Sequence, residues 1–240
     1  MENPLQQFAV KPIISIFVNK VDLSLTNSAL AMICTAAGII LFFFLGTFKK
    51  KLIPSRMQSL VEITVEFIDQ MIEENIGQEG KKFLPFVLSL FLFILFGNML
   101  GMLPIAFTFT SQIILTFSLA AFVFLLVTIV GFFKHGTKFF SFFLPEGAPL
   151  LLAPILVPIE LISYLSRPIS LSIRLFANMM AGHTMMKVFA FFTVALGAWG
   201  ISTIIVNAAL IGFEFLVAFL QAYVFSVLTC LYIKDALYLH

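Results

Sequence analysis

Residues 167–183 read Arg-Pro-Ile-Ser-Leu-Ser-Ile-Arg-Leu-Phe-Ala-Asn-Met-Met-Ala-Gly-His. They lie inside an apolar run, Leu150 to Leu196, that no polar loop divides. At 1.5 Å per residue that run makes about 70 Å of helix, more than twice a ~30 Å hydrocarbon core. Excess length in lipid is absorbed by tilt or kinks. Only Pro154, Pro158 and Pro168 are placed to bend this run. The stretch therefore predicts a helix that is steeply tilted or lies partly in the membrane plane. Its polar residues are a second anomaly. Arginine cannot discharge itself by losing a proton, and a charge at the bilayer centre is expensive. Arg174 has to face a bundle interior, a polar cavity or a counter-charge.

Working outward, the composition agrees with a membrane setting. The chain has 240 residues, 61% hydrophobic and 11% charged, with a mean hydropathy of +1.09. Soluble domains carry about 25% charged residues. The net charge of +2 gives no nucleic-acid surface, because the cations gather at the ends of apolar runs. Cys34 and Cys230 each stand alone in an apolar run and read as small buried thiols. No Cys/His spacing suggests a metal site, so neither metal nor cofactor is expected. There is no Walker-type phosphate loop, so no nucleotide is expected either. The N-terminus has no basic region or cleavage pattern of a signal peptide.

The elements follow from the apolar runs and their flanks. Residues 1–27, interrupted by Pro4, Lys11, Pro12, Lys20 and Asp22, read as an exposed or interfacial segment. Residues 28–48 make a first span that ends on Lys49-Lys50-Lys51. By the positive-inside rule those lysines lie on the inner side, which leaves the N-terminus outside. In residues 54–77, Met57, Leu60, Val61, Ile68, Met71 and Ile72 recur at helical spacing, with Glu62, Glu66, Asp69 and Glu73 opposite. That pattern is an amphipathic helix on the inner surface, against lipid or a partner. Residues 83–104 and 112–133 form a transmembrane hairpin with Lys81, Lys82, Lys134 and Lys138 at its open ends. Residues 150–196 and 201–238 form the long tilted hairpin, turning at Gly197-Ala198-Trp199-Gly200. The fold class is an all-α integral membrane protein in a single membrane domain.

Two polar stripes run along the long hairpin. Glu160, Ser163, Arg167, Ser170, Arg174 and Asn178 recur every three or four residues, which puts them on one face. His183 lies nine residues past Arg174. That is half a turn out of phase and about 13 Å further along the axis, so it faces another surface. Asn207, Glu214 and Gln221 share a face of the second helix. Serines and asparagines alone would suit a polar zipper between helices. An arginine and a glutamate are too costly for that use alone. Arg167 has Glu160 as one possible partner, seven residues away across a bend.

The run Ser170-Leu171-Ser172-Ile173-Arg174-Leu175-Phe176-Ala177-Asn178-Met179-Met180-Ala181-Gly182-His183 resembles the signature of subunit a of F-type ATP synthases. Gly212-Phe213-Glu214, Gln221-Ala222-Tyr223 and Tyr232-Ile233-Lys234-Asp235-Ala236 agree with it, as do Pro158-Ile159-Glu160-Leu161 and Asn98-Met99-Leu100-Gly101-Met102-Leu103-Pro104. Enteric-type members have an acidic residue at the His183 position and a histidine at the Glu214 position. Here the two are exchanged, as in mitochondrial and alphaproteobacterial members. The resemblance implies a bacterial plasma-membrane or mitochondrial inner-membrane protein. It implies partners in a c-ring, a peripheral stalk subunit b or its equivalent, other Fo subunits and the lipid bilayer. The implied roles are Arg174 as barrier and counter-charge to the ring carboxylate, and Glu214, His183 and Gln221 along the outer-side proton path. Asn178 would lie on the ring face and Glu160 at the inner exit, with Ser170 and Asn207 also on the path. ATP chemistry would belong to partner subunits.

Two other classes compete. A self-contained ion-coupled transporter would often show an internal repeat and paired broken helices, and the sequence has neither. A purely structural scaffold leaves Arg174 and Glu214 unexplained.

Overall fold

The computed structural model describes residues 8–15, 17–18, 21–22, 24–48, 51–103, 107–136, 139 and 153–238. Pro4, Lys20, Lys49, Lys50, Pro104, Lys138, Leu150 and His240 lie outside the described residues. Among the described residues six α-helices make up the bulk: α1 Asn27–Thr47, α2 Arg56–Asn75, α3 Leu84–Gly101, α4 Ile113–His135, α5 Ala153–Ala195 and α6 Ile201–Leu237. All but α2 are long and apolar enough to cross a membrane, α3 together with the 3-10 turn Gln78–Phe83 that precedes it.

The N-terminal segment adds short extended pieces to the helical fold. Two short antiparallel ladders precede α1: β1 Pro12–Ile14 with β4 Leu25–Thr26, and β2 Phe17–Val18 with β3 Val21–Asp22. β-branched residues flanked by proline favour extended backbone over helix. The Asn27 side chain fastens this segment, accepting from Lys11 N at 3.1 Å and donating to Ala9 O at 3.1 Å. Thr26 caps α1, its hydroxyl accepting from Ala29 N.

α2 begins at a Ser55 cap that accepts from Gln58 N. Val61, Ile68, Met71 and Ile72 are buried, while Glu62, Glu66 and Glu73 stay exposed. The buried face packs on α1, α3 and α6 of the same chain, so most of its apolar stripe is already covered. Met57, Leu60 and Ile63 remain exposed. Gly46 permits the close crossing with α1, since a Cβ there would lie 2.4 Å from Val61 Cγ2. Lys81, read from the sequence only as a topological flank, pairs with Glu73 at 3.1 Å and Asp69 at 3.7 Å.

α5 has 43 residues and stays helical through Pro158 and Pro168; α6 has 37. They are about 65 and 55 Å long, far beyond the ~30 Å a bilayer core requires. Between them Gly197 adopts φ +54°, a left-handed conformation that glycine takes at little cost. α6 buries a stripe of small residues, Ala218, Ala222, Ser226, Thr229, Cys230 and Ala236. It packs there against α3, α4 and α5. In lipid, where hydrophobicity does not drive helices together, small residues give the close contact that does. Hydrogen bonds between Thr116 and Ser172 at 3.1 Å, and between Thr128 and Tyr164 at 2.7 Å, join α4 to α5. The central core is built from Ile68 and Ile72 on α2, Phe91 and Ile94 on α3, and Leu175 and Ile233 on α5 and α6.

Candidate functional site

Polar pairs pin the α5–α6 hairpin along its length. Thr193 and Thr203 meet at 2.8 Å near the turn. His183 Nε2 lies 3.7 Å from Glu214 Oε1 in the middle. Arg167 donates to Asp235 at 2.8 Å toward the open end. Arg167 thus takes a partner from α6 and not Glu160, and its guanidinium also lies over the Tyr164 and Tyr232 rings.

Glu214 is the most deeply buried carboxylate among the described residues, 4% exposed. Neither of its oxygens accepts a hydrogen bond from the described residues. Its side chain fits because α5 offers Gly182 opposite, where a Cβ would lie 2.6 Å from Oε1 and 2.8 Å from Cδ. His183 Nε2 is 3.0 Å from the Thr108 hydroxyl. A carboxylate and an imidazole 3.7 Å apart can exchange a proton after a small side-chain movement or through one water.

His183 lines a cavity of about 440 Å³ together with Phe8, Leu103, Thr108, Lys187 and Asn207. The Asn207 Oδ1 atom is buried without a partner among the described residues. Phe8, from the segment read in sequence as exposed or interfacial, forms part of the wall. Its carbonyl accepts from Gln112 Nε2 at 2.7 Å, and its ring meets the His183 ring edge-on at 6.3 Å. Gln221 is buried two turns beyond Glu214. Asn98 on α3, 0% exposed, donates to Ala218 O at 3.4 Å and leaves Oδ1 without a partner among the described residues.

Arg174 lies on the other side of α5. It is exposed and makes no ion pair with the described residues. Ser166, Ser170, Ala177 and Ala181 are exposed on the same helical face, so one guanidinium stands in a strip of small side chains. Asn178 and Glu160 are half-buried, without an ion pair or hydrogen bond among the described residues. The structure therefore brings His183, Glu214 and Asn207 to one side, with Gln221 buried further along α6, and leaves Arg174 and Ser170 on the outward side. Sequence reasoning missed Thr108 and Gly182. Thr108 lies in a connecting loop with no period to flag it, and the use of Gly182 depends on which residue faces it. Asn98 carried a signal, as the only amide in an otherwise apolar span.

An exposed arginine and a buried carboxylate–imidazole pair, back to back on a hairpin too long to cross a bilayer upright, define a polytopic membrane protein concerned with ion movement. The family model for the ATP synthase A chain matches residues 29–234. ATP synthase subunit a of Rhodospirillum rubrum is 52% identical over 243 residues, covering 100% of both chains. The subunit a of Pelagibacter ubique is 52% identical over 240 residues, covering 99% of this chain and 98% of its own. That of Sinorhizobium medicae is 52% identical over 243 residues, covering 98% and 97%. The chain belongs to the ATP synthase subunit a family. It is a multi-pass protein of the bacterial inner membrane, engaged in ATP synthesis and proton transport as a membrane subunit of the complex.

Proposed function

We propose that this chain forms two offset half-channels that carry protons to and from carboxylates on a c-ring, and so drives rotation. The observation that carries this reading is the division of α5: a buried His183–Glu214 pair beside a cavity on one side, and Arg174 among small residues on the other. A proton path needs exchangeable groups, and His183 and Glu214 supply them. Asn207 and Gln221 extend that path along α6. Arg174 is a poor exchanger, because it holds its charge. It suits a barrier that repels protons and attracts a passing carboxylate. Ser170, Ala177 and Ala181 let a neighbouring helix approach closely around it. Asn178 belongs to the ring-facing side and Glu160 to the inner exit. One charge moved through 100 mV supplies ~2.3 kcal/mol, so rotation has to pool several steps for each ATP made on a partner subunit. The peripheral stalk would hold the chain still against the ring.

The sidedness belongs to the proposal. The cavity is walled by the end of α3, Leu103 and the Thr108 loop, whereas Lys51, Lys81, Lys134 and Lys234 lie toward the other helix ends. The positive-inside rule makes the lysine end the inner one, and the cavity then opens outward. A Lys51→Cys variant, with Cys34 and Cys230 replaced, is expected to react with membrane-impermeant maleimide only from the inner face. Labelling from outside would reverse the assignment.

The test against a self-contained transporter is reconstitution. Liposomes holding the purified chain alone should remain proton-tight under a potassium-diffusion potential. Liposomes holding the chain with its ring of small subunits should take up protons. Conduction by the chain alone would remove the ring from the mechanism.

A further inference from the structure

We infer that Thr108 is a positioning residue that sets which nitrogen of His183 carries the proton. The Thr108 side chain is buried, 6% exposed, and its hydroxyl has two neighbours. It donates to the Gly101 carbonyl at 3.0 Å and lies 3.0 Å from His183 Nε2. A hydroxyl has one proton and two lone pairs. The Gly101 carbonyl belongs to the last residue of α3, where no further turn supplies a donor. Among the described residues Thr108 is its hydrogen-bond donor. With its proton committed there, Thr108 can only accept from the ring, so Nε2 must bear hydrogen. The loop is held for this. Ser111 N and Oγ both donate to Thr108 O, at 3.2 and 2.6 Å. Gly101 leaves room, since a Cβ there would lie 2.7 Å from the Thr108 hydroxyl oxygen.

The consequence rests on reading His183 and Glu214 as a relay. The neutral ring holds its proton at Nε2, the nitrogen that faces Glu214 Oε1 at 3.7 Å, and keeps Nδ1 free to accept. A proton from cavity water binds Nδ1 and gives the imidazolium. The Nε2 proton then passes to a Glu214 carboxylate oxygen, leaving a neutral ring protonated at Nδ1. That tautomer sets a bare Nε2 against an oxygen whose proton is committed elsewhere. The ring regains the first form by losing the Nδ1 proton to one water and taking one at Nε2 from another, Glu214 keeping the proton it received. One proton has moved from water to Glu214, and Thr108 biases the ring to be ready again. Among the described residues the ionisable groups near the ring are Glu214 from α6 and Lys187 on α5, which lines the same cavity.

The test uses the whole complex with ¹⁵N-labelled histidine, the His183 signal being assigned by its loss in His183→Gln. At alkaline pH the ring is neutral. Solid-state NMR should then show Nε2 protonated and Nδ1 bare in the native protein, and a mixture of the two tautomers in Thr108→Val. Proton uptake by Thr108→Val vesicles should fall about fivefold, the scale of one neutral hydrogen bond. Thr108→Ser should stay close to the native rate and keep the Nε2–H signature. A native ring protonated at Nδ1 overturns the assignment, and that reading needs no variant to assemble. Native flux in Thr108→Val, or equal loss in the valine and serine variants, overturns the positioning role. Undiminished flux in Glu214→Gln would instead remove the relay and leave the tautomer assignment standing.

Discussion

Replacing Arg174 by alanine is expected to abolish proton-driven ATP synthesis and, at the same time, to raise the passive proton leak. The two effects have one origin. Arg174 is exposed on α5, makes no ion pair with the described residues, and stands among Ser166, Ser170, Ala177 and Ala181. The described residues supply no counter-charge for it, and on the proposed mechanism a ring carboxylate does. A ring carboxylate passing such a surface without the guanidinium is a buried charge left unpaired, at a cost of about 3–5 kcal/mol. At ~1.4 kcal/mol per factor of ten, that cost is more than two orders of magnitude in rate. On the proposed mechanism the leak rises because no fixed positive charge then separates the two half-channels. Arg174→Lys retains a charge but loses the planar fork, and a buried lysine can release its proton. It is expected to suppress the leak and still fail to couple. The assay is proton uptake into vesicles stripped of the catalytic head, under a potassium-diffusion potential, with and without a ring inhibitor. Arg174→Ala vesicles as tight as a sealed bilayer would leave Arg174 as a positioning charge only.

Glu214→Gln is expected to slow proton-driven ATP synthesis about 100-fold, within the range for losing a positioned acid–base group, with the complex still assembled. Glutamine is close to isosteric and fits opposite Gly182, but carries no exchangeable acid proton. Assembly is read by copurification of the other subunits, and transport by the initial rate of ATP synthesis under an imposed gradient. The exchange His183→Glu with Glu214→His should be less damaging than His183→Gln with Glu214→Gln, because a relay needs exchangeable protons in place more than a fixed order. Some loss is still expected in the exchange. Gly182 is shaped around a carboxylate, with only 2.6 Å between an added Cβ and Oε1, and an imidazole at 214 is bulkier. Wild-type flux in Glu214→Gln would take Glu214 off the path.

The helices were legible in the sequence because length and period are local properties. An uncharged run of some twenty residues in lipid has to be helical to satisfy its own backbone. The repeat of carboxylates from Glu62 to Glu73 could not enter lipid, so that helix had to be set apart from the spans. The cost of a charge in lipid singled out Arg174 as a candidate without any neighbour being known, and its phase relative to His183 followed from 3.6 residues per turn. Partner choice was not legible. Helical period fixes the direction of a side chain on its own helix but not the register between helices. The seven-residue spacings of Glu160, Arg167 and Arg174, and of Asn207, Glu214 and Gln221, fit several registers equally well. The tertiary structure decided that Arg167 pairs with Asp235, that Glu214 sits against Gly182 beside His183, and that Phe8 reaches the cavity wall. It also brought Thr108 to the imidazole across 75 residues. A loop residue has no period to reveal its direction, and only the packing of α3 against α6, and of the turn at residues 109–111 against α5, puts it there.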